Sequence, residues 1–253
     1  MKRKRLAFIL STVFCIVFFT AIFTGPVFSQ EPQISVFTEI KIKPGMNIEF
    51  EKFLKEEVIP AMKKGGQQEL SVWKTAIFGD GVIYSLSSSI TDFSQFDSPH
   101  PVLKALGPYG AQAMLAKMET YAKSMRTFMM RSLPDLQINA PEEYSEKLGL
   151  QVKATITPGQ GEKYEKDTRV IKEIMKKIGA KSFLTGRVGV GGNPNQYYFF
   201  VLLDSFADLQ SFGMAFEKAV SETKMPDMTG IVQQMEYTMY SYAPELSIQP
   251  AAQ

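Results

Sequence analysis

The chain has 253 residues, with 28 basic and 26 acidic side chains and one histidine, for a formal charge of +2. Residues 1–29 hold four of the basic side chains and no acidic one, so the remainder carries 24 against 26, a balance of −2. A weakly acidic chain of this kind excludes a nucleic-acid footprint. Its single cysteine, Cys15, excludes a disulfide, a thiol nucleophile or a cysteine metal site further along.

Lys2, Arg3, Lys4 and Arg5 precede an apolar run from Leu6 to Phe23, followed by Gly25-Pro26 and Val27-Phe28-Ser29. A basic head, an apolar middle and small residues at a cleavage point form an export signal. Cleavage is expected after Ser29, which makes residues 1–29 the signal and sends the mature protein to the periplasm or outside the cell. The competing expectation is an uncleaved N-terminal membrane anchor, since the run approaches the ~20 residues that span a bilayer. In either case the rest of the chain lies outside the cytoplasm.

The mature sequence then repeats itself. Val36–Gly45 is an alternating strand ending in Lys43-Pro44-Gly45, and Leu150–Gly159 is another, 114 residues later, ending in Pro158-Gly159. An amphipathic helix follows each strand, carrying Phe50, Phe53, Leu54, Val58 and Met62 in one copy and Tyr164, Val170, Ile171, Ile174 and Ile178 in the other. Gly65-Gly66 and Gly179 stop these helices. Two strand-like runs come next in each copy, Leu70–Phe78 with Val82–Ser88 and Ser182–Val190 with Tyr197–Leu203, reading as hairpins. Here the offset is 113, aligning Tyr84 with Tyr197 and Phe93 with Phe206. A second helix and a last strand complete each copy.

The order strand-helix-strand-strand-helix-strand, twice, predicts two ferredoxin-like (βαββαβ) units over residues 34–138 and 148–248, joined by a linker at residues 139–147. Each unit leaves one sheet face bare, and that face must be covered. Packing the two bare faces together gives an α+β protein, a pseudo-dimeric α+β barrel within one chain. Such a chain is expected to be a monomer.

Lys43-Pro44-Gly45, Phe50, Phe53, Asp92-Phe93 and Phe96 resemble the dimeric α+β barrel superfamily, in particular its antibiotic-biosynthesis-monooxygenase-like and NIPSNAP-like members. That resemblance implies the barrel fold and carries no particular chemistry. Haem-degrading members of that superfamily hold their cofactor with a histidine backed by asparagine and tryptophan. Trp73 stands in a different strand context here and no asparagine occupies the first strand, so no cofactor is expected.

Alternation sorts the strand residues by face. Val36, Thr38, Ile40 and Ile42 match Leu150, Val152, Ala154 and Ile156 and are expected under the helices. The other face offers Glu39, Lys41 and Lys153, with Lys74 and Arg187 nearby as a matched pair. These side chains could bind an anionic or polar ligand in the barrel, or Glu39 could simply pair with Lys153. His100, the only histidine, is the natural general base, yet it sits in Ser98-Pro99-His100-Pro101 and has no counterpart in the second copy. Trp73, the only tryptophan, reads as pocket wall or core.

The 13 methionines after Met1 raise the thought of Cu(I), but helical and strand spacing explains them as core filler, and no metal is expected. Gly186–Gly192 reads as a hairpin turn, since a strand and not a helix follows it.

The functional expectation is an exported protein binding a small organic ligand in or beside the barrel. The alternative is a cofactor-independent monooxygenase-like or isomerase-like enzyme using Trp73, His100 and tyrosines such as Tyr84 or Tyr109. In both, function is expected in the first copy, where Glu39 stands against Lys153 and Trp73 against Gly186.

Overall fold

The computed structural model describes residues 32–77, 81–141 and 147–249. The expected signal, its cleavage point and Cys15 lie outside the described residues, as does the middle of the expected linker. Among the described residues no helix is long and apolar enough to cross a membrane.

Strand β1 (Ile34–Ile42) ends in the Pro44-Gly45 turn, and β5 (Leu148–Ile156) ends in the matching Pro158-Gly159 turn. Both turns need a left-handed residue, and Gly45 (φ 80°) and Gly159 (φ 82°) supply it at little steric cost. The helices that follow differ. The second copy has a regular helix, α3 (Gly161–Lys177). The first copy has α1, running from Asn47–Phe53 through a π-helical turn at Leu54–Val58 into Ile59–Lys64. The change of offset locates the cause: Glu51 and Glu165 are 114 residues apart, Gly66 and Gly179 only 113. One extra residue in the first copy is absorbed by widening a single turn, which keeps Phe50, Phe53, Val58 and Met62 all buried.

The hairpins are β2 (Ser71–Thr75) with β3 (Ile83–Ile90), and β6 (Leu184–Val188) with β7 (Gln196–Leu203). In the second copy a helix, α4 (Phe206–Ser221), starts directly on its Ser205 cap. In the first copy the equivalent Asp92-Phe93 segment forms a short 3-10 turn (Phe93–Asp97), and the helix proper, α2 (Pro101–Tyr121), begins after Ser98-Pro99-His100. The last strands are β4 (Ala122–Ser132) and β8 (Val232–Tyr242).

The eight strands close into one barrel in the order β1-β3-β2-β8-β5-β7-β6-β4, with β4 returning to β1. Each copy supplies four adjacent strands. The seams between copies are short and equivalent: β2 with β8 through Trp73–Tyr242, Lys74–Ser241 and Thr75–Tyr240, and β4 with β6 through Met130–Val188, Arg131–Arg187 and Ser132–Gly186. Beyond each seam the chain clasps the other copy: Ile138 bridges to Phe183, and Ile248 to Leu70. The chain is thus an α+β protein of two tandem ferredoxin-like units sharing one closed sheet.

Between helices and sheet lie two equivalent cores, one built on Ile40, Ile42, Phe50, Leu54, Val72 and Tyr84, the other on Ala154, Ile156, Tyr164, Met175, Tyr197 and Phe199. Each large side chain buried there contributes roughly 1.5–3 kcal/mol of transfer free energy. Phe50 packs edge-on against Tyr84 at 4.8 Å, and Tyr164 against Tyr197 at 4.9 Å. The two copies have kept the same aromatic joint.

Candidate functional site

Register and alternation place two rows of side chains inside the barrel. The first row crosses β2, β3, β1 and β4 as Trp73, Ser85, Glu39 and Arg126. The second crosses β6, β7, β5 and β8 as Gly186, Tyr198, Lys153 and Glu236. These are equivalent positions in the duplication, and at two of them the charge is inverted: Glu39 with Arg126 in one row, Lys153 with Glu236 in the other.

The two pairs behave differently. Lys153 Nζ meets Glu236 Oε2 at 2.7 Å, a closed ion pair with the Glu236 side chain 45% exposed. Glu39 and Arg126 form no ion pair with each other. Arg126 turns away from Glu39, past β6 to β7, where its guanidinium donates to the Tyr198 hydroxyl at 3.2 Å and to Gln196 Oε1 at 3.3 Å, and its Cζ lies 4.5 Å from the centre of the Phe128 ring. Its Nε–H is buried and unbonded, one of two such side-chain polar atoms among the described residues. An unsatisfied buried donor costs about 1–3 kcal/mol. Glu39, largely buried, is pushed above its ordinary pKa by desolvation; Arg126 and Lys153 pull it down, Glu236 pushes it up again. The tyrosines facing it, Tyr198 and Tyr240, are both raised well above the usual phenol range, chiefly by burial.

One step along the strands from the first row lies an aromatic array. Phe37, Phe128, Tyr198 and Phe200 stack with near-parallel planes, at centroid distances of 5.6 Å (Phe37–Phe128, Phe128–Tyr198) and 6.3 Å (Phe37–Phe200, Tyr198–Phe200). Phe37 and Phe200 keep part of their surface accessible. At the opposite seam Trp73 tilts against Tyr242, ring centres 5.1 Å apart, and lies over Gly149, where a Cβ would meet its ring at 3.3 Å. The equivalent space above Gly186 is taken by Met130.

Of the residues expected in a site, the structure puts Glu39, Lys153 and Trp73 on the interior face. Lys41 shares that face at one end of the barrel, beside Gly81. Glu39 does not pair with Lys153 directly; each is opposite a partner in its own copy. Lys74 and Arg187 face the other way, under the helices, which corrects their expected place near the polar face; Tyr84 lies under the helices as well. Tyr84 donates to Glu51 Oε1 at 2.7 Å and Lys74 meets the same oxygen at 3.1 Å. Tyr197 donates to Glu165 at 2.9 Å, and Arg187 lies 5.5 Å from the Tyr197 ring centre while donating to the Pro194 carbonyl at 2.9 Å. Helix-facing Lys74 is tolerated there because its stem is apolar and its charge finds Glu51.

His100 lies outside the barrel, exposed, and its Nδ1 accepts from the Val102 N–H at 3.2 Å, capping α2. Tyr109 is 87% exposed on the same helix. Trp73 inside the barrel, Tyr84 between sheet and helices, and His100 and Tyr109 on the outside of α2 therefore lie in three different layers. Among the described residues, no group of three His, Cys, Asp or Glu side chains is arranged to hold a metal ion.

Arg126 and Glu236 were not among the expected site residues. Their signal is in the sequence: they stand 110 residues apart, with the charge exchange seen between Glu39 and Lys153 reversed.

No family model matches this chain, and no curated protein matches it. Solved structures do. A candidate monooxygenase from Fusobacterium nucleatum superposes with a TM-score of 0.57 at 10% identity, covering 84% of this chain and 93% of its own. An anthrone oxidase-like protein gives 0.57 at 11% identity, covering 88% and 98%. A candidate monooxygenase from Lactobacillus acidophilus gives 0.51 at 12%, covering 87% and 97%. At such identities the likeness is one of fold alone.

Proposed function

We propose that this protein binds a small organic ligand inside the barrel, between the two copies. The observation that carries the reading is the unclosed Glu39–Arg126 pair. Its equivalent in the other copy closes at 2.7 Å, whereas here a desolvated carboxylate and a buried, unbonded guanidinium N–H stand beside an aromatic array. Polar groups left open in an interior are either costly or await a partner. Fold neighbours described as monooxygenases agree with a barrel that accommodates small molecules, but their chemistry does not transfer on fold alone.

The test is native mass spectrometry of the purified protein, combined with the emission of Trp73, the only tryptophan and a wall of the same interior. A co-purifying small molecule whose release changes Trp73 emission is the expected result. A protein without bound compound, whose Trp73 emission is indifferent to a broad set of small organic compounds, would sink the reading.

A catalytic reading has one observation in its favour: Glu39, a carboxylate that burial pushes above its ordinary range, stands opposite Arg126 across β1 and β4, a base beside a cation that could steady a developing oxyanion. It predicts an isomerase-like proton transfer, read as deuterium exchange into a bound carbonyl compound. Exchange that persists in Glu39→Gln would rule it out.

The N-terminal segment supports export as a second part of the proposal. N-terminal sequencing of the protein from its native host is expected to start at Gln30; a chain retained in the membrane with Met1 intact would replace cleavage with anchoring.

A further inference from the structure

Independently of the barrel interior, we infer that one end of this molecule docks on a lipid surface. The contact is made by the turn Phe93–Asp97 and the start of α2, with Lys63, Lys64 and Lys104 as a basic rim. None of the 21 residues of α2 is buried, although residues 98–116 carry a single Asp, Glu, Lys or Arg side chain, Lys104. Val102, Met114, Met118 and Tyr121 pack partly against the first core, while Leu103, Leu106 and Leu115 stay exposed. A helix this apolar ordinarily lies inside a protein or in a membrane. In the turn before it, Phe93 and Phe96 are 54% and 53% exposed, their ring centres 6.3 Å apart. Every residue from Thr91 to His100 is exposed. The second copy has no such surface: α4 starts straight from Ser205 and packs Leu209, Phe212 and Phe216 against its core.

Two observations name the occupant. The first is where the chain enters the barrel. Ile34 pairs with Ile90, and Gln33 is held by Ser89 and Ser132. Phe93 follows Ile90 by three residues, a reach of roughly 10 Å. The apolar run Leu6–Phe23 therefore connects to the same end of the barrel as the exposed rings. Only residues 24–33 separate them, a span of no more than about 35 Å. A domain exported on that run meets the bilayer with this end first, whether or not the run is later removed. The second observation is charge. α1 ends so close to the start of α2 that a Cβ on Gly65 would strike the Pro101 carbonyl oxygen. Exposed Lys63 and Lys64 thus stand beside the first turn of α2, which carries exposed Lys104. Of the two acids in the turn, Asp92 is occupied by the Ser94 N–H at 2.7 Å. Apolar side chains rimmed by lysine suit the boundary between lipid tails and anionic headgroups.

The test mixes the mature chain, residues 30–253, with vesicles of phosphatidylcholine alone or with an equal part of phosphatidylglycerol. Binding is read by flotation and by amide hydrogen exchange. The chain is expected to bind the mixed vesicles more tightly, with slowed exchange over residues 91–106 and none over 205–212. Phe93→Ser combined with Phe96→Ser should weaken binding at least about tenfold. Lys63→Gln and Lys64→Gln should each weaken it about fivefold, on the mixed vesicles only. Ile48→Ser should leave it unchanged: Ile48 is 74% exposed but sits at the opposite end, where β1 runs into α1. Failure to float with either vesicle overturns the inference, and so does undiminished binding by the double phenylalanine variant. Self-association that slows exchange over residues 91–106 without lipid also overturns it, and makes a second copy of the chain the occupant.

Discussion

The two copies agree on the outside of the sheet and disagree on the inside. Under the helices, Tyr84–Glu51 and Tyr197–Glu165 make the same hydrogen bond, and Phe50–Tyr84 and Tyr164–Tyr197 the same edge-on contact. Inside the barrel, Phe37 stands against Gln151, Glu39 against Lys153, Ser85 against Tyr198, Arg126 against Glu236 and Trp73 against Gly186. The helix-facing layer must solve the same packing problem twice. The interior is a single space shared by both copies, so bulk or charge supplied from one side must be absent or opposite on the other. Complementary bulk and charge in that space are what a ligand site at a pseudo-dimer interface would require.

Several substitutions break or sharpen this contrast. The largest effect is expected where the copies differ outside the barrel. Gly65 caps α1 against α2, and a Cβ there would fall 1.9 Å from the Pro101 carbonyl oxygen. Its equivalent in the second copy is Ile178, which needs no such clearance. Gly65→Ala is expected to cost at least about 3 kcal/mol in chemical denaturation, since a backbone atom must yield.

Tyr84→Phe and Tyr197→Phe should each cost about 1–2 kcal/mol, equally in the two copies, by removing the hydrogen bond to Glu51 or Glu165. The double variant should be additive if the layers are independent. Unequal costs would show that the outer symmetry is only geometric.

Equivalent interior positions should instead respond with opposite sign. Burial lifts Glu39 above its ordinary value of 4.5, so the folded chain keeps a proton that the unfolded chain has released. The resulting stability is full below that ordinary value and is lost as pH rises through the folded one. Glu39→Gln removes the loss and is expected to stabilise the protein at neutral pH by on the order of 1 kcal/mol, flattening the pH dependence of Tm above the ordinary value. Lys153→Gln opens a pair whose carboxylate is nearly half exposed and should destabilise by about 0.5 kcal/mol, screened by salt. The same sign at both positions would contradict the assignment of one open and one closed pair.

The fold was legible because duplication shows each element twice: Pro44-Gly45 and Pro158-Gly159, or Tyr84 and Tyr197, corroborate one another. The interior was legible only in part. β1 and β5 alternate over nine residues each, which fixes the faces of Glu39 and Lys153. β2 has five residues, with Val72 and Lys74 on one side and Ser71, Trp73 and Thr75 on the other. So short a strand offers no dominant apolar face, and Lys74 was read as polar-facing when its stem lies under α1. Met125, Arg126, Thr127, Phe128, Met129 and Met130 hide their alternation because both faces carry large side chains. Their role depends on the pairing of β4 with β1, a long-range fact that local pattern does not contain. His100 shows the reverse: a chemically suggestive residue whose local setting, between two prolines at a helix start, already described a cap.

The π-helical turn at Leu54–Val58 has a consequence for how this chain tolerates editing. Losing one residue from a regular helix rotates everything beyond it by about 100° and turns the buried face outward. Here one residue is surplus. Deleting exposed Lys55 or Glu56 would let the wide turn relax into an ordinary one, as in α3, with Phe50 and Met62 still facing the sheet. Such a deletion is expected to change stability by less than about 1 kcal/mol, whereas deleting Lys166 from α3 should unfold the second copy. The first helix carries a spare part; the second has none to lose.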